Sequence, residues 1–244
     1  MFDSAGARKC YQRPDHDGDS NTTRSSLNLD KSCAMQDKSG VAGLAAHFGA
    51  ARSKRDFAGR YLWYLSEVIA QIDLTVVEQI IDVLVEAGEC GNTIYFIGNG
   101  GSAATASHFA NDIAIGTRAP EAKPFQAVSL TDNLAVITAI ANDEEYSNIF
   151  LRQLEGVLQP RDVVVGLSVS GNSPNVLEAL RYAKRHGAIT IGCTGFDGGV
   201  MHQITDISMH IPTRRGEYGP VEDIFTILGH LIYSYLRLER RGHL

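Results

Sequence analysis

The chain has 244 residues, 44% of them hydrophobic and 20% charged, enough to enclose one sizeable core without requiring two. A formal net charge of -6 leaves no chain-wide basic surface of the kind nucleic acid demands, so any phosphate ligand must be held by local dipoles. There is no apolar run long enough to cross a membrane, and the amino terminus lacks the basic-then-apolar order of a signal peptide; a soluble, unexported, cytoplasmic protein without a membrane partner is expected.

Residues 1 to about 40 are rich in Ser, Asp, Asn, Arg and Lys and poor in large apolar side chains. Such a segment cannot bury enough surface to offset its ordering entropy, so a disordered extension is expected ahead of a single domain over residues 41–244. Asp15, Asp17 and Asp19 alternate as in a calcium loop, but Gly18 is misplaced and the distal Glu is missing, which favours a solvated tail. Cys10, Cys33, Cys90 and Cys193 are scattered without C-x-x-C spacing and are expected to be free thiols.

From about Gly43 to Ile72, Phe57, Tyr61, Tyr64, Leu65, Val68 and Ile69 recur at helical spacing, which predicts one long amphipathic helix whose aromatic stripe faces the core or another subunit. A second helix is predicted from Leu74 to Ala87, ending at Gly88. Thr93 to Ile97 then has the β-branched and aromatic character of a buried strand. Apolar runs at Phe125 to Leu130, Asp162 to Ser168, Ala188 to Cys193 and Ile207 to Ile211 repeat the pattern, with helical stretches between them that include Asn175 to His186 and Val221 to Arg240. Strands alternating with helices imply a three-layer α/β/α sandwich with five parallel strands.

Ligands of an open parallel sheet bind beyond the carboxyl ends of its strands, which directs attention to the loops after the first and third strands. The first reads Gly98-Asn-Gly-Gly-Ser-Ala103 and runs straight into a helix, where free N–H groups can meet an anion. It also fits the dinucleotide fingerprint G-x-G-x-x-A, but Glu121, the nearest acid for a ribose, precedes its strand and sits between Pro120 and Pro124; no nucleotide cofactor is expected. The other loop reads Ser168-Val-Ser-Gly-Asn-Ser-Pro-Asn175, whose three serine hydroxyls, backbone N–H groups and helix start can surround a phosphate dianion without Lys or Arg. Either loop alone is equally well a capped turn; the two at strand ends of one sheet favour phosphate.

Gly98-Asn-Gly-Gly-Ser102, His108-Phe-Ala110, Thr138-Ala-Ile-Ala-Asn-Asp143, Ser168 to Val176 and Thr194-Gly-x-Asp-Gly-Gly199 resemble the successive motifs of the phosphoheptose isomerases, enzymes of the sugar-isomerase (SIS) fold. The resemblance covers roughly residues 45 to 240. It implies an aldose–ketose isomerase that takes sedoheptulose 7-phosphate, or a close seven-carbon analogue, through an enediol. It also implies a homotetramer with sites near subunit interfaces. Substrate contacts are implied for Asn99, Gly100, Gly101, Ser102, Asp112, Thr131, Asp132, Ser168, Val169, Ser170, Ser173 and Glu222.

His108 and Asp112 lie four residues apart and project from one helix face. The resemblance adds His230 and Glu222 from the last helix and assigns proton transfer to Asp112 and His230, without deciding which is acid and which is base. In the family Glu stands at the position of Asp112, Gln at Glu222 and Thr at Val169. His108, Asp112, Glu222 and His230 are also a mixed nitrogen and oxygen set for Zn2+, one per subunit, as some family members bind it. Glu222 and His230 are eight residues apart, about 12 Å along a straight helix, so the two reach one ligand only through a helix distortion or from different subunits. The rival implied by the same fold is a non-catalytic phosphosugar-sensing or protein-binding protein of the replication-initiator-associating type, which lacks the histidine at position 230.

Overall fold

The computed structural model describes residues 42–242; the expected extension over residues 1–40, with Cys10, Cys33 and the Asp15–Asp19 stretch, lies outside them. The described residues open with helices α1 (Leu44–Ala50), α2 (Lys54–Ile69) and α3 (Leu74–Cys90). The long helix expected from Gly43 to Ile72 is therefore two. Ser53 breaks it, because its hydroxyl accepts the Asp56 N–H and caps the start of α2. Tyr64, Leu65 and Val68 of the α2 stripe are buried in this chain's own core, while Leu62 and Trp63 point outward.

Helix α3 also runs past its expected stop at Gly88 and ends at Gly91, which takes the left-handed conformation (φ 77°) that glycine adopts without strain. Gly88 serves packing instead: the Phe125 ring occupies the space that a side chain there would need.

Strand β1 (Thr93–Gly98) leads into α4 (Gly101–Asn111), which passes without a break into a π-helical turn, Asp112–Gly116. There follow β2 (Gln126–Ser129), α5 (Leu134–Asp143), a 3-10 turn at Tyr146–Asn148, α6 (Leu151–Leu154), β3 (Val163–Ser168) and α7 (Pro174–Arg185). The chain closes with β4 (Ile189–Thr194), α8 (Met201–Ile204), β5 (Ile207–His210) and α9 (Tyr218–Arg240). The five strands are parallel in the order β2-β1-β3-β4-β5.

Alternate residues of each strand feed opposite faces, as strand geometry requires. Ile94, Phe96, Val163 and Val165 meet α2, α3, α4 and α9 on one side. Tyr95, Ile97 and Val164 meet α6 and α7 on the other. The three-layer α/β/α sandwich follows directly. Among the described residues no helix is long and apolar enough to cross a membrane, and Cys90 and Cys193 are both free thiols.

Candidate active site

The strand order places β2 on one side of β1 and β3 on the other, so the chain direction across the sheet reverses there and the carboxyl ends of β1 and β3 open a crevice. The loop after β1 is tight. A side chain at Gly98 would come within 2.7 Å of the Ser102 carbonyl, and Gly100 has φ 55°. Helix α4 starts there with no side-chain cap on its free N–H groups.

After β3, Gly171 has φ 63° and lies against the Gly198 carbonyl of the loop beyond β4. The Ser168 and Ser173 hydroxyls are 3.0 Å apart, so one donates to the other and one proton is left over for a ligand. Ser170 Oγ accepts the Asn172 N–H at 3.3 Å, which leaves its own proton free. Ser173 precedes α7 but makes no cap bond with it. Val169 is buried and packs toward Gly195, so only its backbone is available to this loop.

A reciprocal amide pair joins the two loops. Asn99 Nδ2 donates to Asn175 Oδ1 at 2.9 Å, and Asn175 Nδ2 donates back to Asn99 Oδ1 at 2.8 Å. The Tyr146 hydroxyl donates to Asn99 Oδ1 as well, at 2.9 Å. Beside them, Thr131 Oγ1 meets Ser107 Oγ at 2.8 Å and Ser129 Oγ at 2.6 Å, while Asp132 accepts from Ser107. This network ties the end of β2 to the middle of α4.

Two turns beyond the start of α4, and directly after Ser107, His108 comes together with Asp112 and with His230 of α9. Their ligand atoms all lie within 4.8 Å of one another. His108 Nε2 is 2.8 Å from His230 Nε2 and 3.3 Å from Asp112 Oδ2, and His230 Nε2 is 3.8 Å from the same carboxylate oxygen. The imidazoles are half exposed, whereas Asp112 is mostly covered at 16% exposure, so the carboxylate forms the floor of an open site. Asp112 is the first residue of the π-helical turn, a widened turn often found at functional sites.

Glu222 does not join this group. Helix α9 is unbroken from Tyr218 to Arg240, and the expected separation of two turns keeps the Glu222 carboxylate away from His230 within one chain. It lies instead over the Cα of Gly101, at the uncapped start of α4. Burial first, then the neighbouring Asp223 carboxylate, holds its pKa above the usual carboxylate range.

The structure thus gathers Asn99, Gly100, Gly101, Ser102, Ser168, Val169, Ser170 and Ser173 at the crevice, Thr131 and Asp132 at its β2 edge, and His108, Asp112 and His230 two turns away. Asn175, Ser107 and Tyr146 were missed from sequence. Asn175 stood inside the serine motif and Ser107 directly before His108, but neither spacing showed which partners they would find across the sheet.

The SIS domain family profile matches residues 59–195. The phosphoheptose isomerase of Syntrophotalea carbinolica is 38% identical over 182 residues, covering 73% of this chain and 91% of that one. The phosphoheptose isomerase of Aliarcobacter butzleri is 40% identical over 176 residues, covering 71% and 92%. Among solved structures, the phosphoheptose isomerase of Neisseria gonorrhoeae superposes with a TM-score of 0.63 at 27% identity, covering 79% of this chain and 96% of its own. With a parallel sheet whose switch-point loops suit a phosphate, and with relatives of this identity matched over nearly their full length, the chain belongs to the phosphoheptose isomerases, sugar-phosphate isomerases built on the SIS domain.

Proposed function

We propose that the enzyme interconverts sedoheptulose 7-phosphate and an aldoheptose 7-phosphate. One observation carries this reading: α4 runs from the glycine loop at the crevice to His108, which meets Asp112 and His230, so crevice and group stand at a fixed separation. From Gly101 to His108 is seven residues, about 10 Å of helical rise. An extended seven-carbon sugar with a terminal phosphate reaches about that far, so phosphate in the crevice sets its carbonyl end beside the histidines.

In this arrangement the dianion takes hydrogen bonds from the serine loop and from the start of α7, whose dipole favours negative charge. Asn99 has one amide hydrogen beyond its pair with Asn175 and offers it to a sugar hydroxyl. Glu222, over Gly101, belongs on the substrate side, between the phosphate and the reacting carbons.

Isomerisation removes the C1 proton of the ketose and protonates O2, giving an enediol, then returns a proton to C2 as O1 loses its hydrogen. Asp112 and His230 supply the base at carbon and the donor at oxygen between them. His108, within hydrogen-bond distance of His230 and close to Asp112, orients both. Two imidazoles and a carboxylate are also a fitting donor set for Zn2+, and His108, Asp112 and His230 would hold it. Such an ion, when bound, polarises a substrate carbonyl.

We also place the enzyme in the cytoplasm as a homotetramer, its apolar outer helix faces serving as subunit contacts. The direct test of the activity is to incubate purified protein with five- to seven-carbon sugar phosphates, with and without Zn2+, and follow products by NMR. Conversion of sedoheptulose 7-phosphate is the expected result. Binding without turnover of any of them would leave a phosphosugar-sensing protein of the same fold.

A further inference from the structure

The two histidines of the site come from different helices, and neither belongs to the helix contact that brings them together. That contact is made one residue away on each side. Phe109, next to His108, drives its ring into the space where Gly229, next to His230, has no side chain. A Cβ at position 229 would overlap Cε1 and Cζ of the ring. Seven residues after Phe109 on one helix and four after Gly229 on the other, the Tyr233 ring fills the same kind of vacancy at Gly116, where an added Cβ would lie 2.6 Å from Tyr233 Cε2. The two contacts bracket Asp112 and His230 along the seam between α4 with its π-turn and α9, with His108 one residue outside the first.

Other reasons for a glycine here are absent. Gly229 lies inside α9 with ordinary helical backbone, so positive φ does not call for it. In a helix interior, glycine is less favourable than alanine by about 1 kcal/mol. Both Gly229 and Phe109 are buried. What the missing side chain allows is depth: α9 approaches α4 to the distance at which His108 Nε2 and His230 Nε2 stand 2.8 Å apart.

We infer that Gly229 and Phe109 are a positioning pair that sets the separation of His108 and His230 and thereby the geometry of the proton-transfer site. The inference rests on the proposed roles of those histidines. Its physical content, the separation itself, does not.

The test compares full-length Gly229→Ala, Phe109→Leu and the double variant, Leu removing the ring atoms that fill the vacancy. In Gly229→Ala, a crystal structure should show the two Nε2 atoms beyond hydrogen-bond distance, and Zn2+ affinity by chelator competition should fall at least tenfold. Its kcat should fall at least tenfold with KM within twofold, because the phosphate crevice is untouched. The double variant should regain the kcat and Zn2+ affinity of Phe109→Leu. A Gly229→Ala protein with the native histidine separation, Zn2+ affinity and kcat overturns the inference. If Gly229→Ala does not fold, the other two variants decide: equal kcat supports the pair, and a tenfold lower kcat in the folded double variant overturns it. Full activity of His230→Ala would overturn the catalytic reading alone, while the separation and Zn2+ measurements would still report on the pair.

Discussion

The proposed mechanism turns most on His230, half of the proposed proton-transfer pair and two helical turns from the phosphate-type loops. His230→Ala should lower kcat by about 10²–10⁴-fold with circular dichroism unchanged, the usual scale for loss of a general acid or base. Asp112→Asn should produce a loss of the same order while keeping size and burial, and steady-state kinetics of the two variants provides the check. Native-like kcat in both would remove the mechanism while leaving the fold. At the other end, the Ser170 oxygen accepts from the Asn172 N–H, and its own hydroxyl proton is the one assigned to the phosphate in the proposed reading. Ser170→Ala should raise KM for sugar phosphate with little change in kcat, a charge-assisted hydrogen bond being worth about 1.5–3 kcal/mol. An unchanged KM would make that loop a plain turn.

Between elements, the edge of the sheet is held by Asp206, just before β5. Its carboxylate accepts the Thr190 N–H at 2.9 Å and the Thr190 hydroxyl at 2.7 Å, and pairs with Lys184 of α7 at 2.8 Å. Burial opposes the charge, but the Lys184 and Thr190 bonds outweigh it and keep the pKa below the usual carboxylate range. A carboxylate whose folded pKa is depressed stabilises the fold above its unfolded value, about 3.9, and loses that contribution as pH falls through the folded value. Asp206→Asn should therefore lower Tm at pH 7, and the gap from wild type should close toward pH 3. Thermal melts at both pH values measure this; a gap of equal size at each would assign the effect to shape rather than charge. Elements also show where local pattern misleads. The helix read from about Gly43 to Ile72 ran through Ser53, yet a capping hydroxyl divides it, and Gly88 looked like a stop when it is a seat for Phe125.

At the scale of the whole molecule, the outer face of α9 carries Ile227, Leu231, Tyr235 and Leu238 at helical spacing, each at least 37% exposed, and Leu62 and Trp63 stand out from α2. A stripe of this kind is expected to be covered in an assembly. The aromatic stripe of α2 read from sequence cannot serve, being mostly packed within the chain. Light scattering should show a tetramer at micromolar concentration, and Leu231→Asp should shift it to smaller species without unfolding the protomer. A monomeric wild-type protein would contradict the assembly.

The alternation of strand and helix, the five-strand parallel sheet and the two phosphate-type loops were legible in the sequence, because each depends on residues close together in the chain: β-branched runs, glycine turns, serine caps. His108 and Asp112 were legible as a pair for the same reason, one helical turn apart. The family resemblance already implied His230 beside them; tertiary structure decided that Glu222, on the same helix, goes to Gly101 instead, since helical rise separates the two and the register of α9 on α4 determines which one lands where. It alone paired Asn99 with Asn175 and seated Phe109 on Gly229. Those contacts join residues 76 to 122 positions apart or stand beside such a contact, and a local pattern carries no information about which of two compatible surfaces will meet.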